Sequence, residues 1–82
     1  MSTVLVVDDE ERIRTLITRS LASEGHSVVA AADGVVALER LVASDIDLVL
    51  LDLMMPRCNG LTVLASLRQR RDETRVMLIL VL

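Results

Sequence analysis

The sequence predicts an α/β fold in which a parallel sheet lies between two layers of helices. Three observations lead to this prediction. Four short apolar runs alternate with three stretches of helical spacing, the runs show no apolar–polar alternation, and two of them are followed directly by aspartate. Uninterrupted apolar runs are typical of strands that are covered on both faces. Because strands alternating with helices build parallel sheets with right-handed crossovers, we expect one domain with three layers in these 82 residues.

The first strand and the first helix occupy the N-terminal third of the chain. The strand is predicted at residues 3–7, and the helix is predicted to run for about four turns, from near Glu11 to Glu24. Gly25 follows at the position where a left-handed C-terminal cap is expected. The apolar residues of the helix recur at helical spacing, and they are Ile13, Leu16, Ile17 and Leu21.

The second strand and the second helix come next. Residues 27–31 form a weaker apolar run, which predicts the strand. Asp33 is suited to cap the helix that follows, because a short acidic side chain can accept a hydrogen bond from the first helical turn. We expect this helix to end around Ser44. Its predicted buried stripe consists of Val35, Leu38, Leu41 and Val42.

Two more strands and a third helix are predicted in the second half of the chain. The third strand covers residues 48–51 and is followed by Asp52. Pro56 and the pair Asn59-Gly60 predict a loop over residues 55–60. The fourth strand is predicted at residues 76–82. Between loop and strand, a third helical stripe contains Leu61, Leu64, Ala65 and Leu67.

The composition excludes several classes of function. Apolar residues make up 52% of the chain, which excludes intrinsic disorder, and aromatic residues are absent, which excludes a stacking platform for single-stranded nucleic acid. A net charge of −3 argues against a nucleic-acid or anionic-membrane surface. One cysteine and one histidine cannot build a zinc cage. Since no apolar run has the length of a membrane span and no signal peptide is present, we expect a cytoplasmic protein.

Acidic residues follow two of the predicted strands. Asp8 and Asp9 come after the first strand, and Asp52 comes after the third. Ligands of open α/β sheets bind at the carboxyl ends of the strands, so these carboxylates converge if the two strands are neighbours. A divalent cation would relieve their mutual repulsion, and oxygen ligands favour Mg²⁺. The alternative is that they are ordinary turn and cap residues, because acids are favoured near a helix N-terminus.

Three blocks of the sequence resemble the receiver domain of two-component response regulators. The blocks are VLVVDDE at residues 4–10, DLVLLDLMMP at residues 47–56, and the pair Asn59-Gly60. The resemblance extends from Val4 to about Leu78. It implies a flavodoxin-like, doubly wound parallel sheet with strand order 2-1-3-4. It further implies that residues 1–82 form an incomplete receiver domain, truncated after the fourth strand and lacking the fifth strand and the last two helices.

The resemblance implies a role for each acidic residue. Asp52 matches the phosphoacceptor, which takes a phosphoryl group from the phosphohistidine of a sensor histidine kinase. Asp9 matches a direct Mg²⁺ ligand and Asp8 an acid that helps to bind the ion through water; Asp52 and the backbone carbonyl of Met54 complete the metal site. The chain would then be a phosphoacceptor domain in phosphorelay signalling rather than an enzyme, catalysing at most its own phosphorylation and dephosphorylation.

The sequence departs from the family at two positions that contact the phosphoryl group. The family ends its fourth strand with Ser or Thr, but the corresponding position falls at about Leu80 to Leu82, and the family lysine is missing because this chain contains no lysine. We therefore expect slow or absent phosphotransfer. The alternative is an interaction or dimerisation module that keeps the receiver fold without phosphorylation. A third alternative is a phosphohydrolase of the dehalogenase type. Met54 argues against it, because such an enzyme needs an acid at this position.

The last apolar run lacks the features that protect an edge strand. The segment Val76–Leu82 contains neither a charged residue nor proline. Exposed apolar strand edges pair with other chains. We therefore expect a homo-oligomer formed through this strand, or a monomer that aggregates.

Overall fold

The computed structural model describes residues 2–52, Ala65 and the backbone of residues 75–79. Over these residues the chain forms a four-stranded parallel sheet and two complete helices. The elements are β1 (Thr3–Val7), α1 (Glu11–Ser23), β2 (Ser27–Ala31), α2 (Gly34–Ala43), β3 (Leu48–Asp52) and β4 (Arg75–Ile79). The strand order is β2-β1-β3-β4, which confirms the order 2-1-3-4 that the resemblance to receiver domains implies.

β1 lies inside the sheet and pairs in parallel with both β2 and β3. The register pairs Val7 with Ala31 on one side and with Leu51 on the other. The residues that directly follow Val7 and Leu51 are Asp8 and Asp52, so the register alone places these two acids next to each other. The C-terminal ends of β1 and β3 therefore lie side by side at the carboxyl edge of the sheet, which is the edge that the strand ends form.

The larger apolar cluster lies between the sheet and α2. It joins alternate residues of three strands to two residues of α2 and to Ile46, which precedes β3. Its buried members are Leu5, Val7, Ala31, Ala37, Leu41, Ile46, Val49 and Leu51. Because successive side chains of a strand point to opposite faces, Val4 and Val6 of β1 face the other helix.

The predicted buried stripe of α2 is wrong at two of its four positions. Val35 is 62% exposed and Val42 is 86% exposed, whereas Leu41 is buried as expected. The residues of α2 that are fully buried are Gly34, Ala37 and Leu41. Val35 and Val42 follow Gly34 and Leu41 by one position, which is about 100° around the helix. Gly34 and Ala37, two of these three buried positions, hold the smallest residue types.

The opposite face of the sheet carries a smaller cluster, which α1 covers. Its buried residues are Val4, Val6 and Leu50, with the partly buried Ile17 and Leu21 of α1 packed against them. No residue of α1 is fully buried. Leu16, one of the apolar positions of the predicted helix, is 66% exposed.

Two predictions about the helix ends are confirmed. Gly25 has a φ of 90°, the left-handed conformation expected directly after α1. The carboxylate of Asp33 accepts a hydrogen bond from the backbone N–H of Val36 at 2.9 Å and so caps α2. The N-terminal cap position of α1 is Glu10, whose side chain makes no such hydrogen bond.

The remaining predictions about the fold concern the third strand and the second half of the chain. β3 includes Asp52, one residue more than predicted. Ala65, from the predicted third helix, is helical but exposed, and the rest of that helix, the predicted loop at 55–60 and residues 80–82 lie outside the described residues.

No helix in the described part of the chain has the length and the apolar character that crossing a membrane requires.

Candidate functional site

The structure brings three carboxylates together at the carboxyl edge of the sheet. Asp8, Asp9 and Asp52 each offer one oxygen, and these oxygens all lie within 4.8 Å of one another. Asp8 and Asp52 are buried at 2% and 5% exposure, and Asp9 is exposed. The cluster therefore has a buried side and a side open to solvent. Met54, the fourth residue predicted for this site, lies outside the described residues.

Backbone hydrogen bonds hold Asp8 at the end of β1. Its N–H donates to the carbonyl of Ala31 at 3.1 Å, which continues the pairing of β1 with β2. Its Oδ1 accepts a hydrogen bond from the N–H of Glu10 at 2.9 Å. A contact from an Asp side chain to the backbone two residues later forms a local turn, which here turns the chain from β1 towards α1.

The other carboxylate oxygen of Asp8 has no such contact. Oδ2 is buried and has no hydrogen-bond partner among the described residues. A buried polar atom without a partner costs about 1–3 kcal/mol, and more when the group is charged. A cation bound among the three carboxylates would supply the missing partner.

The pKa of Asp8 reflects the same surroundings. Burial raises this pKa above its ordinary value of 3.8, the hydrogen bond from Glu10 opposes the rise, and repulsion from Asp52, Asp9 and Glu10 adds to it. All these effects except the hydrogen bond penalise the charged carboxylate. A bound cation would favour the charged form and so reverse the penalty.

The donor set suits a hard divalent cation. Each of the three residues offers a carboxylate oxygen, and oxygen ligands are those of Mg²⁺ and Ca²⁺. The site has few protein ligands and one side open to solvent. This arrangement suits Mg²⁺, because the bound ion keeps several of its waters. The residues present therefore fit the Mg²⁺ expected from the sequence.

One further residue contacts this site and was missed by the sequence reasoning. Nη1 of Arg14 donates a hydrogen bond to the backbone carbonyl of Asp8 at 2.8 Å. The sequence offered one signal, the position of Arg14 near the start of the helix that follows the acids. That signal was too weak, because Arg12 and Arg19 lie in the same helix and are exposed.

Comparison with known protein families identifies the class of protein. The sequence model of the response regulator receiver domain matches residues 4–81. The chain therefore belongs to this family, whose members act in two-component phosphorelay signalling. Its sheet order and its paired acids agree with the flavodoxin-like, doubly wound fold of the receiver domain.

Individual relatives agree with this assignment. The chain is 45% identical over 76 residues to the Regulator of RpoS of Escherichia coli K12, a match that covers 93% of this chain and 23% of that protein. The chain thus spans less than a quarter of the length of this curated relative.

Two solved structures are similar over nearly the whole chain. One is the response regulator TrrA of Thermotoga maritima in complex with Mg²⁺-BeF, with a TM-score of 0.89 and 36% identity, covering 98% of this chain and 70% of that one. The other is TrrA in complex with the histidine kinase ThkA, with a TM-score of 0.86 and 37% identity, covering 95% of this chain and 67% of that one.

Proposed function

We propose that this chain accepts a phosphoryl group on Asp52 from the phosphohistidine of a sensor histidine kinase, in the presence of Mg²⁺. The observation that carries the proposal is the set of three carboxylate oxygens within 4.8 Å of one another at the carboxyl edge of the sheet. Membership of the receiver family supports the same assignment.

Asp52 is the nucleophile in this proposal. One of its carboxylate oxygens attacks the phosphorus atom, and the bond between phosphorus and the imidazole nitrogen of the phosphohistidine breaks. The bonding electrons return to the imidazole, and the product on this chain is an acyl phosphate. Asp52 is 5% exposed at the end of β3, so the surrounding fold restricts the directions from which a phosphodonor can approach.

Asp8, Asp9, Asp52 and the backbone carbonyl of Met54 would hold the Mg²⁺ ion. When bound, Mg²⁺ neutralises and orients the phosphoryl oxygens. The buried, unpartnered Oδ2 of Asp8 supports a cation at this place. The complex of TrrA with Mg²⁺-BeF, at 36% identity, supports it independently.

The proposed phosphodonor partner is a sensor histidine kinase. The similar TrrA has been solved together with the histidine kinase ThkA, which supports this choice. We also propose that the chain has no catalytic activity beyond its own phosphorylation and dephosphorylation. The cytoplasmic location and the absence of nucleic-acid and membrane binding stay predictions from the sequence.

We expect phosphorylation of the 82-residue chain to be slow. The chain contains no lysine, so the acyl phosphate lacks that charge-assisted partner. A hydrogen bond to a charged group is worth about 1.5–3 kcal/mol, which corresponds to about 10- to 100-fold in rate if it acts in the transition state.

The test is incubation of the chain with a small phosphodonor and Mg²⁺, followed by intact-protein mass spectrometry. We expect the mass of one phosphoryl group to be added to the wild-type chain and not to Asp52→Asn, with no addition when Mg²⁺ is chelated. Equal phosphorylation of wild type and Asp52→Asn would contradict the role of Asp52.

A second candidate is an interaction module that keeps the fold without phosphorylation. β4 supports it, because among the described strands β4 pairs only with β3 and lies at one edge of the sheet. Through this edge the apolar segment Val76–Leu82 would pair with a second copy of the chain. Sedimentation velocity tests the oligomer, and a stable monomer contradicts it. Beryllofluoride binding near Asp52 would favour the phosphoacceptor.

A further inference from the structure

Arg14 connects α1 to the segment that carries two of the three acids. Its Nη1 donates to the backbone carbonyl of Asp8 at 2.8 Å, and its backbone N–H donates to the carbonyl of Glu10 at 3.0 Å. Arg14 is partly buried, unlike Arg12 of the same helix, which is exposed. The guanidinium thus bonds directly to the peptide unit that joins Asp8 to Asp9.

The orientation of that peptide unit determines where two carboxylates lie. The N–H of Asp8 is held by Ala31 of β2, whereas its carbonyl is held by Arg14. The side chain of Glu10, at the cap position of α1, forms no capping hydrogen bond. Asp8 bonds to the backbone of the segment from Asp8 to Glu10 from within that segment. Among the described residues, Arg14 is the one whose side chain bonds to this backbone from outside the segment.

We propose that Arg14 is a positioning residue for the cation site, acting by fixing the Asp8–Asp9 peptide unit. This inference rests on the proposed function, in which Asp8 and Asp9 hold Mg²⁺. A residue that bonds to a ligand-bearing group orients the ligand and raises its affinity for the metal. Arg14 does this through a backbone carbonyl, so its contribution comes from geometry.

Charge and geometry predict opposite results when Arg14 is replaced. The guanidinium is positive and lies near a site for a cation, so by Coulomb's law alone its removal would strengthen cation binding. Loss of a fixed peptide unit would weaken cation binding instead. The sign of the change in affinity therefore distinguishes positioning from a simple electrostatic effect.

The experiment measures the dissociation constant of Mn²⁺, as a probe for Mg²⁺, by the electron paramagnetic resonance signal of the free ion. The chains are the wild type, Arg14→Met, Arg14→Lys and the control Arg12→Met. We expect Arg14→Met to weaken binding about tenfold, at the lower end of the effect of outer-shell partners. Arg14→Lys keeps the charge and a donor and should lie between Arg14→Met and wild type. Arg12→Met removes the same charge at an exposed position and should leave the constant unchanged or slightly lower.

A second readout needs no metal. The N–H of Glu10 donates to Oδ1 of Asp8, and the Asp8–Asp9 peptide unit lies within the turn that this hydrogen bond closes. We expect hydrogen exchange at the Glu10 amide to be faster in Arg14→Met than in Arg12→Met. Circular dichroism checks that each variant is folded, and if Arg14→Met is not, Arg14→Lys decides the question.

The outcomes separate the two proposals. If the wild-type chain binds Mn²⁺ and the Arg14 variants bind as tightly or more tightly, the positioning role is overturned and the proposed function stands. If the wild-type chain binds no Mn²⁺ and its Mg²⁺-dependent phosphorylation is also absent, the proposed function is overturned, and the role of Arg14 with it. Weaker Mn²⁺ binding together with faster exchange at Glu10 supports the positioning role.

Discussion

The two helices cover opposite faces of one sheet in different ways. α2 contributes the buried residues Ala37 and Leu41 to the larger apolar cluster. α1 has no fully buried residue and packs only partly buried side chains onto the smaller cluster. Its Arg14 instead hydrogen-bonds to the backbone beside the acidic site. The comparison shows that α2 buries residues fully in the core, whereas α1 covers its face with partly buried residues and also contacts the backbone beside the acidic site.

The largest effect on the free energy of unfolding is expected when one leucine of each helix is replaced by alanine. Leu41 is 2% exposed and Leu16 is 66% exposed. We expect Leu41→Ala to lower the free energy of unfolding by about 2–5 kcal/mol, because it removes buried methyl groups and leaves a cavity. Leu16→Ala should change it by less than about 0.5 kcal/mol. Urea unfolding followed by circular dichroism measures both. Equal losses would contradict the difference in burial between these two helix positions.

An intermediate effect on stability is expected from Asp8, at the carboxyl edge of the sheet. Folding raises the pKa of Asp8 through burial, so the folded chain holds this proton more tightly than the unfolded chain. Without Mg²⁺, the wild-type chain should lose stability as the pH rises from 3.8 through the raised pKa. Above that pKa, Asp8→Asn should be more stable than wild type by about 1 kcal/mol, because it removes a buried charge.

Asp9→Asn is the matched control for Asp8→Asn, and the stabilisation by Mg²⁺ is a second measurement on the same variant. Asp9 is exposed, so Asp9→Asn should change the free energy of unfolding less than Asp8→Asn does. Mg²⁺ should stabilise the wild-type chain more than Asp8→Asn, because the neutral amide is a weaker ligand. If the wild type were as stable as Asp8→Asn at every pH without Mg²⁺, the buried carboxylate would carry no penalty.

An effect of the same size or smaller is expected at the caps of the two helices. Asp33 accepts a hydrogen bond from Val36 at the start of α2, whereas the side chain of Glu10 forms no capping bond at the start of α1. We expect Asp33→Ala to lower the free energy of unfolding by about 1 kcal/mol and Glu10→Ala to change it by much less. Thermal unfolding of the two variants measures the difference. A larger loss for Glu10→Ala would mean that α1 depends on its cap more than its contacts indicate.

The parts of the fold that depend on local pattern could be predicted. β1 and β2 have the predicted bounds, and Asp33 and Gly25 act as the predicted caps. The acids after β1 and β3 could also be predicted as candidate site residues, because the carboxyl ends of parallel strands lie at the same edge of a sheet. Their distances and the orphaned oxygen of Asp8 could not be predicted, since both depend on the register of β1 against β3.

The sequence by itself therefore determined the order of the elements and which strands end in acids. Both follow from short-range chemistry: apolar runs form strands, and an aspartate after a strand is held at its end. The tertiary structure alone decided which side of α2 is buried and which carbonyl Arg14 binds. Val35 and Val42 have apolar side chains suited to a core, but the buried residues of α2 are Gly34, Ala37 and Leu41 instead. The physical reason is that the buried side of a helix depends on the surface that it packs against, and residues far apart in the sequence form that surface.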